Sequence, residues 1–179
     1  MDTLDIRPLP GVVIKQFTAR DVLSRWDILE VHRVATAQTA VSFLETLQAP
    51  CPFPSGLSRL RRELSRMVDR GSEFMAQFEE ACLKRQVRLF VLPPRSPRLN
   101  GCVERAHRTH AEEFYEVVDS DFTIAHLKDK LLEWEGIYTT VRPHQALDFL
   151  TPTTVSSALQ TKPDKGGGVS LIYGTSTMS

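Results

Sequence analysis

Polar and apolar positions alternate weakly over residues 2–6, which reads as a short strand. Pro8, Pro10 and Gly11 punctuate the chain before residues 12–19 (VVIKQFTA), a β-branched and aromatic run that reads as a second strand. Residues 26–34 (WDILEVHRV) alternate again and give a third strand. The short links between these runs predict an antiparallel meander. The period then changes. Ala37, Ala40, Val41, Leu44 and Leu47 recur at helical spacing over residues 36–48, and Pro50, Pro52 and Pro54 end that helix. Residues 57–68 (LSRLRRELSRMV) fit two readings: a helical stripe of Leu57, Leu60, Leu64 and Met67, or a short strand over 66–69. Both stay open at this point.

Residues 72–86 read as a helix with Ser72 as N-cap and Phe74, Phe78 and Cys82 on its apolar face. Residues 87–92 (VRLFVL) read as a buried strand, and Pro93, Pro94 and Pro97 predict an irregular loop. Two helices follow. One spans residues 101–118 with Val103, Ala106, His110, Phe114 and Val117 near one face. The other spans 123–139, is capped by Thr123 and carries Ile124, Leu127, Leu131, Trp134 and Tyr138. Trp26 and Trp134 read as core residues. Pro143 and Pro152 bracket a loop, and after about Gln160 the chain turns to Gly, Ser and Thr, the composition of a disordered tail. The expected organisation is a core over residues 1–155 and a tail over 156–179, with an α/β sandwich built on a mixed sheet.

Composition narrows the classes. The chain has 179 residues, 41% hydrophobic and 25% charged, which suits one soluble globular domain. No apolar run approaches the roughly 18 residues of a membrane span, and the N-terminus lacks the basic head and apolar stretch of a secretory signal. Cys51, Cys82 and Cys102 form no CxxC spacing, so three reduced thiols in a cytoplasmic protein are expected. The formal net charge is zero, yet residues 55–110 carry +6 and residues 111–150 carry −6. A basic middle suits a polyanion, although charge blocks are also common on solvated helix faces.

The most informative stretch runs from Asp69-Arg70-Gly71-Ser72-Glu73-Phe74 to Pro94-Arg95-Ser96-Pro97-Arg98-Leu99-Asn100-Gly101-Cys102-Val103-Glu104-Arg105. Asp69 falls at a strand end before a helix, and Glu104 falls in about the first turn of the next long helix, 35 residues later. Open α/β sheets place ligand groups at such strand ends. This text resembles the catalytic core of DDE transposases and retroviral-type integrases, nearest to the insertion-sequence transposases. The run Arg142-Pro143-His144-Gln145-Ala146-Leu147, with Thr151-Pro152 after it, is similar to the closing motif of that family.

The resemblance covers roughly residues 1–155 and implies a ribonuclease H-like fold, a mixed five-stranded sheet flanked by helices. It implies catalytic and metal-binding carboxylates at Asp69 and Glu104 and a third on the first strand, where Asp2 is the match and Asp5 the fallback. Three residues apart, these two point to opposite faces of a regular strand, so one of them serves. Two Mg²⁺ or Mn²⁺ ions are implied, because hard cations on carboxylate oxygens suit phosphodiester cleavage and strand transfer. Arg95, Arg98, Arg105 and Arg108 would meet DNA phosphates, Asn100 and Gly101 would open the helix toward a phosphate, and His144 would orient DNA. His107 and His110, at i and i+3, read as a packed or solvated pair rather than metal ligands.

The expected partners are DNA and a second copy of the chain or a full-length transposase, with no membrane. The chain opens one residue before Asp2, so a helix-turn-helix region ahead of the core, and with it sequence-specific end recognition, is expected to be absent. Residues 55–68 are more basic and helix-like than the strand that precedes the second Asp in the family, and Arg70 stands where a small or amide residue is usual, placed to pair with Asp69. Two other functions therefore stand beside the transferase: an inactive, truncated remnant acting as an interaction or inhibitor protein, and a ribonuclease H-like nuclease that only cuts.

Overall fold

A computed structural model describes residues 1–48, 65–68, 72–91 and 97–161. Its elements are β1 (Asp2–Ile6), β2 (Ile14–Arg20), β3 (Asp27–His32), α1 (Ala37–Gln48), β4 (Ser65–Val68), α2 (Gln77–Lys84), β5 (Arg88–Val91), α3 (Pro97–His110), α4 (Ile124–Thr140) and α5 (Pro152–Thr161). A 3₁₀ turn (Ser72–Phe74) precedes α2, a π-helical turn (Ala111–Tyr115) extends α3, and a second 3₁₀ turn (Gln145–Leu147) lies between α4 and α5.

The meander forms as its alternation predicts. β1 pairs antiparallel with β2, Asp2 opposite Thr18 and Ile6 opposite Ile14, and β2 pairs antiparallel with β3, Gln16 opposite Val31 and Arg20 opposite Asp27. Because strand side chains alternate, this register sorts the residues onto two faces. Ile14, Gln16, Thr18 and Arg20 share one face with Asp2, Leu4, Ile6, Asp27, Leu29 and Val31. Phe17 and Ala19 share the other with Thr3 and Ile28. Helices cover both. On one side Phe17 and Ala19 pack with Ala40, Phe43, Leu44 and Leu47 of α1 and with Phe78, Ala81 and Cys82 of α2. On the other, Ile6, Ile14, Leu29 and Val31 pack with Phe114, Leu127 and Leu131. Each fully buried Phe or Leu side chain contributes about 1.5–3 kcal/mol, so two cores flank a sheet that β2 crosses buried on both faces.

Several expectations are corrected. The five strands do not join into one mixed sheet among the described residues: β1, β2 and β3 form a three-stranded antiparallel sheet, while β4 and β5 pair parallel in a separate ladder. Thr3 Oγ1 of β1 donates to Glu73 Oε1 of the 3₁₀ turn after β4 at 2.7 Å, and β4, at four residues, is a short strand. The strand reading holds for residues 65–68, whereas 57–64 lie outside the described residues. The expected helix over 72–86 is divided into the 3₁₀ turn and α2, with a break at Ala76, whose φ is 46°. Helix α3 begins at Pro97 rather than near Gly101. Proline suits a first helical position, where its fixed φ is already helical and its missing N–H goes unneeded. Thr123 caps α4 as expected, its side chain accepting from the His126 N–H. Helix α5 runs through position 155, so the ordered chain passes the expected boundary, and residues 162–179 lie outside the described residues.

Two local features are open to measurement. The end of α2 is a Schellman closure, with Val87 N–H donating to Cys82 O at 2.9 Å and Gln86 N–H to Leu83 O at 3.1 Å. Gln86 sits there at φ 57°, a left-handed position that disfavours any residue with a Cβ. Gln86→Gly is expected to raise unfolding free energy by about 0.5–1 kcal/mol in urea titrations. Glu135 of α4 is buried and accepts the Leu29 N–H at 2.5 Å. Burial first, then the charges of Asp27 and Glu30, push its carboxyl up to about 8 against the lowering pull of that N–H. The folded chain therefore holds this proton where the unfolded chain releases it. The associated stability is fully present below the ordinary Glu value of 4.5 and is lost as pH rises through about 8. Urea midpoints measured from pH 5 to 8.5 are expected to fall more steeply for wild type than for Glu135→Gln, whose amide stays neutral and can still accept from Leu29.

Candidate functional site

The two candidate carboxylates of β1 lie on its two faces. Asp2 opens the strand, is 8% exposed, and accepts its neighbour Thr3 N–H at Oδ1, 2.8 Å. Its parity turns it toward α3, where Oδ2 lies 3.9 Å from His107 Nδ1. Asp5 is exposed on the opposite face and pairs with Lys15 Nζ at 2.6 Å. Glu104 is exposed on α3, one turn before His107 and on the same side. Residues three apart on a helix have Cβ atoms about 5–6 Å apart, so Glu104 is a helix neighbour of the His107 that faces Asp2. Glu104 lies about two turns into α3, deeper than the first turn expected, because the helix starts at Pro97.

Asp69 lies outside the described residues, as do Arg70 and Arg95. The nearest described residues on its two sides are Val68, the last of β4, and the Ser72–Phe74 turn. That turn is held against the sheet twice, by Glu73 on Thr3 of β1 and by the Phe74 ring edge-on to Phe17 of β2 at 6.1 Å. The chain following Asp69 is therefore fastened beside the residue that follows Asp2.

A buried polar layer lies behind Asp2, on the sheet face toward α3 and α4. Asp27 is 1% exposed. Arg20 reaches it through Nε at 2.7 Å and Nη2 at 2.5 Å, and His110 Nε2 reaches it at 3.1 Å. Burial alone would raise the Asp27 carboxyl, but the His110 and Arg20 hydrogen bonds outweigh it and hold the group below its ordinary value. Arg20 also donates to Tyr138 OH at 2.5 Å, and Asp27 holds its guanidinium protonated despite burial. Further along, Gln16 Nε2 lies 2.9 Å from both His110 Nδ1 and Thr18 Oγ1, and Gln16 Oε1 accepts from Tyr115 OH at 2.7 Å. Thr18 Oγ1 lies 3.1 Å from His107 Nε2. Burial, and after it the neighbouring His110, push His107 down to about 4. His107 and His110 are thus packed, as expected.

The residues expected to meet DNA divide. Arg98 and Asn100 lie in the first turn of α3, so Asn100 and Gly101 are interior to the helix and do not open it. Arg105 is exposed next to Glu104. Arg108 is exposed and bonded to Glu112 at 2.7 Å. His144 is a correction: it is 6% exposed, its Nε2 meets the Tyr138 carbonyl at 3.0 Å and its ring stands edge-on to Tyr138 at 4.5 Å. The closing motif is architectural. Arg142 forms a two-pronged ion pair with Glu113 and lies over the Tyr138 ring, 5.4 Å from its centroid, and Thr151 accepts the Thr154 N–H at the start of α5. Sequence reasoning passed over Gln16, Thr18 and Asp27. The signal was the alternation itself, which sets Gln16, Thr18 and Arg20 on a single face of a buried strand. It also passed over Arg25, whose Nη1 meets Cys102 Sγ at 2.5 Å and which therefore adds a cation two residues from Glu104. Cys82 and Cys102 are free thiols.

Carboxylate oxygens such as those of Asp2 and Glu104 are the donor type that hard divalent cations take. Among the described residues no cluster of three or more His, Cys, Asp or Glu side chains forms a complete metal site, and no helix is long and apolar enough to cross a membrane.

Comparison with known proteins agrees with this architecture. Residues 85–152 match a family model described as "Integrase core domain". No curated protein sequence matches the chain. Among solved structures, a chain of the simian T-cell lymphotropic virus intasome, solved in complex with the PP2A regulatory subunit B56 gamma, superposes with a TM-score of 0.67 at 15% identity over 90% of this chain. This chain spans 55% of that one. The HTLV-2 integrase catalytic core domain, solved with magnesium in a dimeric form, superposes with a TM-score of 0.62 at 14% identity, covering 87% of this chain and 92% of that one. At these identities the likeness is one of fold, the ribonuclease H-like integrase core. The match over 85–152 and the shared fold make the chain similar to integrase catalytic cores.

Proposed function

We propose that the chain is the core of a DDE-type polynucleotidyl transferase, with Asp2, Asp69 and Glu104 as its metal-binding carboxylates and DNA as its substrate. The observation that supports this most is the double fastening at the start of β1. Glu73, four residues after Asp69, holds Thr3, and His107, three residues after Glu104, faces Asp2. Three segments far apart in sequence are thereby gathered around one strand end. Carboxylates brought together at such a place would be costly unless a cation neutralised them. Mg²⁺ or Mn²⁺, as two ions, would supply charge neutralisation for the attacking and leaving oxygens of a phosphodiester.

The chain's own groups do the rest. Asp2 is oriented by the Thr3 N–H and by burial, while Glu104 stands exposed on a rigid helix, open to an incoming strand. Gly101, one turn before Glu104, has open space where a Cβ would stand, which leaves the helix backbone accessible at that face. Arg105, with Arg95 and Arg98, supplies cations for phosphates, and Arg108 joins them when it exchanges Glu112 for a phosphate. A DNA 3′-hydroxyl serves as the nucleophile for strand transfer and water for cleavage. A second copy of the chain, or a longer transposase of the same kind, is the expected protein partner.

The test uses purified chain, wild type and Glu104→Gln, with and without Mn²⁺. Metal that binds only the folded chain stabilises by about 2.7 kcal/mol at 100 times its dissociation constant. A melt that rises with Mn²⁺ in wild type and much less in Glu104→Gln is expected, as is joining of a labelled DNA 3′ end to a second duplex by wild type alone. Cleavage without joining would favour a nuclease. A melt indifferent to Mn²⁺ would leave an interaction protein of transposase ancestry.

A further inference from the structure

The buried polar layer carries information to Asp2 that neither the fold nor the carboxylates account for. Its logic starts at Asp27, where one buried anion is already balanced by Arg20. Tyr115 OH takes the Gln16 amide oxygen, so the amide nitrogen is the atom facing His110 Nδ1, and Nδ1 accepts from it. An ionised carboxylate only accepts, so His110 carries its proton on Nε2 toward Asp27 and presents Nδ1 as an acceptor. Gln16 must then turn its amide nitrogen to His110. That nitrogen has two protons, and the second goes to Thr18 Oγ1. The amide oxygen is satisfied by Tyr115 OH. With its oxygen accepting from Gln16, the Thr18 hydroxyl has its own proton to give, and among the described residues His107 Nε2, at 3.1 Å, is the acceptor it meets. A neutral imidazole that accepts at Nε2 carries its proton on Nδ1, and Nδ1 is the atom facing Asp2 Oδ2.

We infer that His107 is a positioning residue for the first carboxylate: the Asp27–His110–Gln16–Thr18 chain fixes its tautomer so that Nδ1–H is aimed at Asp2 Oδ2. The separation of 3.9 Å exceeds a hydrogen bond, so in the chain alone the N–H is poised rather than bonded. Contacts of this kind commonly tighten once a site is loaded. The role is to hold the Asp2 carboxylate in one orientation, as partners of metal-ligating carboxylates do. This deepens the reading of Asp2 as a metal ligand and rests on it.

The direct measurement is the tautomer of His107 in the full chain labelled with ¹⁵N-histidine, read from long-range ¹H–¹⁵N spectra at pH 7. Protonation on Nδ1 is expected, and protonation on Nε2 overturns the inference. Variants give a second readout, the Mn²⁺ concentration at half-maximal thermal shift. His107→Asn places an amide nitrogen near the Nδ1 position and is expected to stay within about threefold of wild type. His107→Gln places its amide near Nε2, and Thr18→Val removes the hydroxyl that sets the tautomer. Both are expected to need about 10–100 times more Mn²⁺. Equal responses for His107→Asn and His107→Gln overturn the inference even where the tautomer agrees. A wild-type chain that ignores Mn²⁺ overturns instead the reading of Asp2 as a ligand, and the tautomer then decides the hydrogen-bond chain alone.

Discussion

A single buried charge constrains most of what surrounds it. Asp27 opens β3 almost without solvent, and an isolated carboxylate there would cost several kcal/mol. Arg20 answers it from β2, His110 from α3, and Tyr138 of α4 holds Arg20 in turn. Two strands and two helices are therefore tied by directional bonds at one point. Such a pair adds little net stability over a well-packed apolar one, but its geometry is demanding. Apolar packing between the sheet and α3 or α4 would tolerate small slides. The Arg20–Asp27–His110 cluster would not, and α3 is the helix that carries Glu104.

Much of this was legible in the sequence because the relevant signals are local. The strand and helix periods located β1 to β3, α1 and α4 to within about two residues, and strand parity set Asp2 and Asp5 on opposite faces of β1. Local signals also explain the errors. Pro97 was read as loop because prolines preceded it, although a proline is equally at home at a first helical position, and Glu104 consequently sits deeper in its helix. That β4 pairs with β5 apart from β1 could not be judged from sequence, since strand pairing depends on partners far along the chain. His144 carries a family motif whose residues turn out to lock the α4–α5 junction. Identity of residue types did not reveal that role, because the Tyr138 carbonyl it meets becomes visible only when the loop folds back.

The candidate site divides its labour between a rigid part and an open one. Asp2 is embedded, with its backbone neighbour and His107 defining its surroundings, while Glu104 stands in solvent on the helix. A buried carboxylate gains orientation at the expense of solvation, and an exposed one the reverse. Having one of each allows part of the site to be preformed while another part remains approachable by a large polyanion. Arg25 and Arg105, from different elements, lie on either side of that exposed carboxylate in the chain's topology.

The π-helical turn at Ala111–Tyr115 has a consequence for how α3 can be recombined with other helices. Glu116 N–H bonds back five residues to Ala111 O, so the helix accommodates one residue more than an α-helical turn would. That extra residue lets His110, Phe114 and Tyr115 all face inward, the first and last into the polar layer and the middle one into the apolar core. The segments before and after the turn are consequently out of phase with one continuous α-helix. A chimaera that exchanges the Glu104 half for that of another helix keeps both halves in register only if its junction preserves this turn. A junction that restores regular winding would rotate everything downstream by about 100°, one residue's worth of a 3.6-residue turn, and carry Tyr115 away from Gln16.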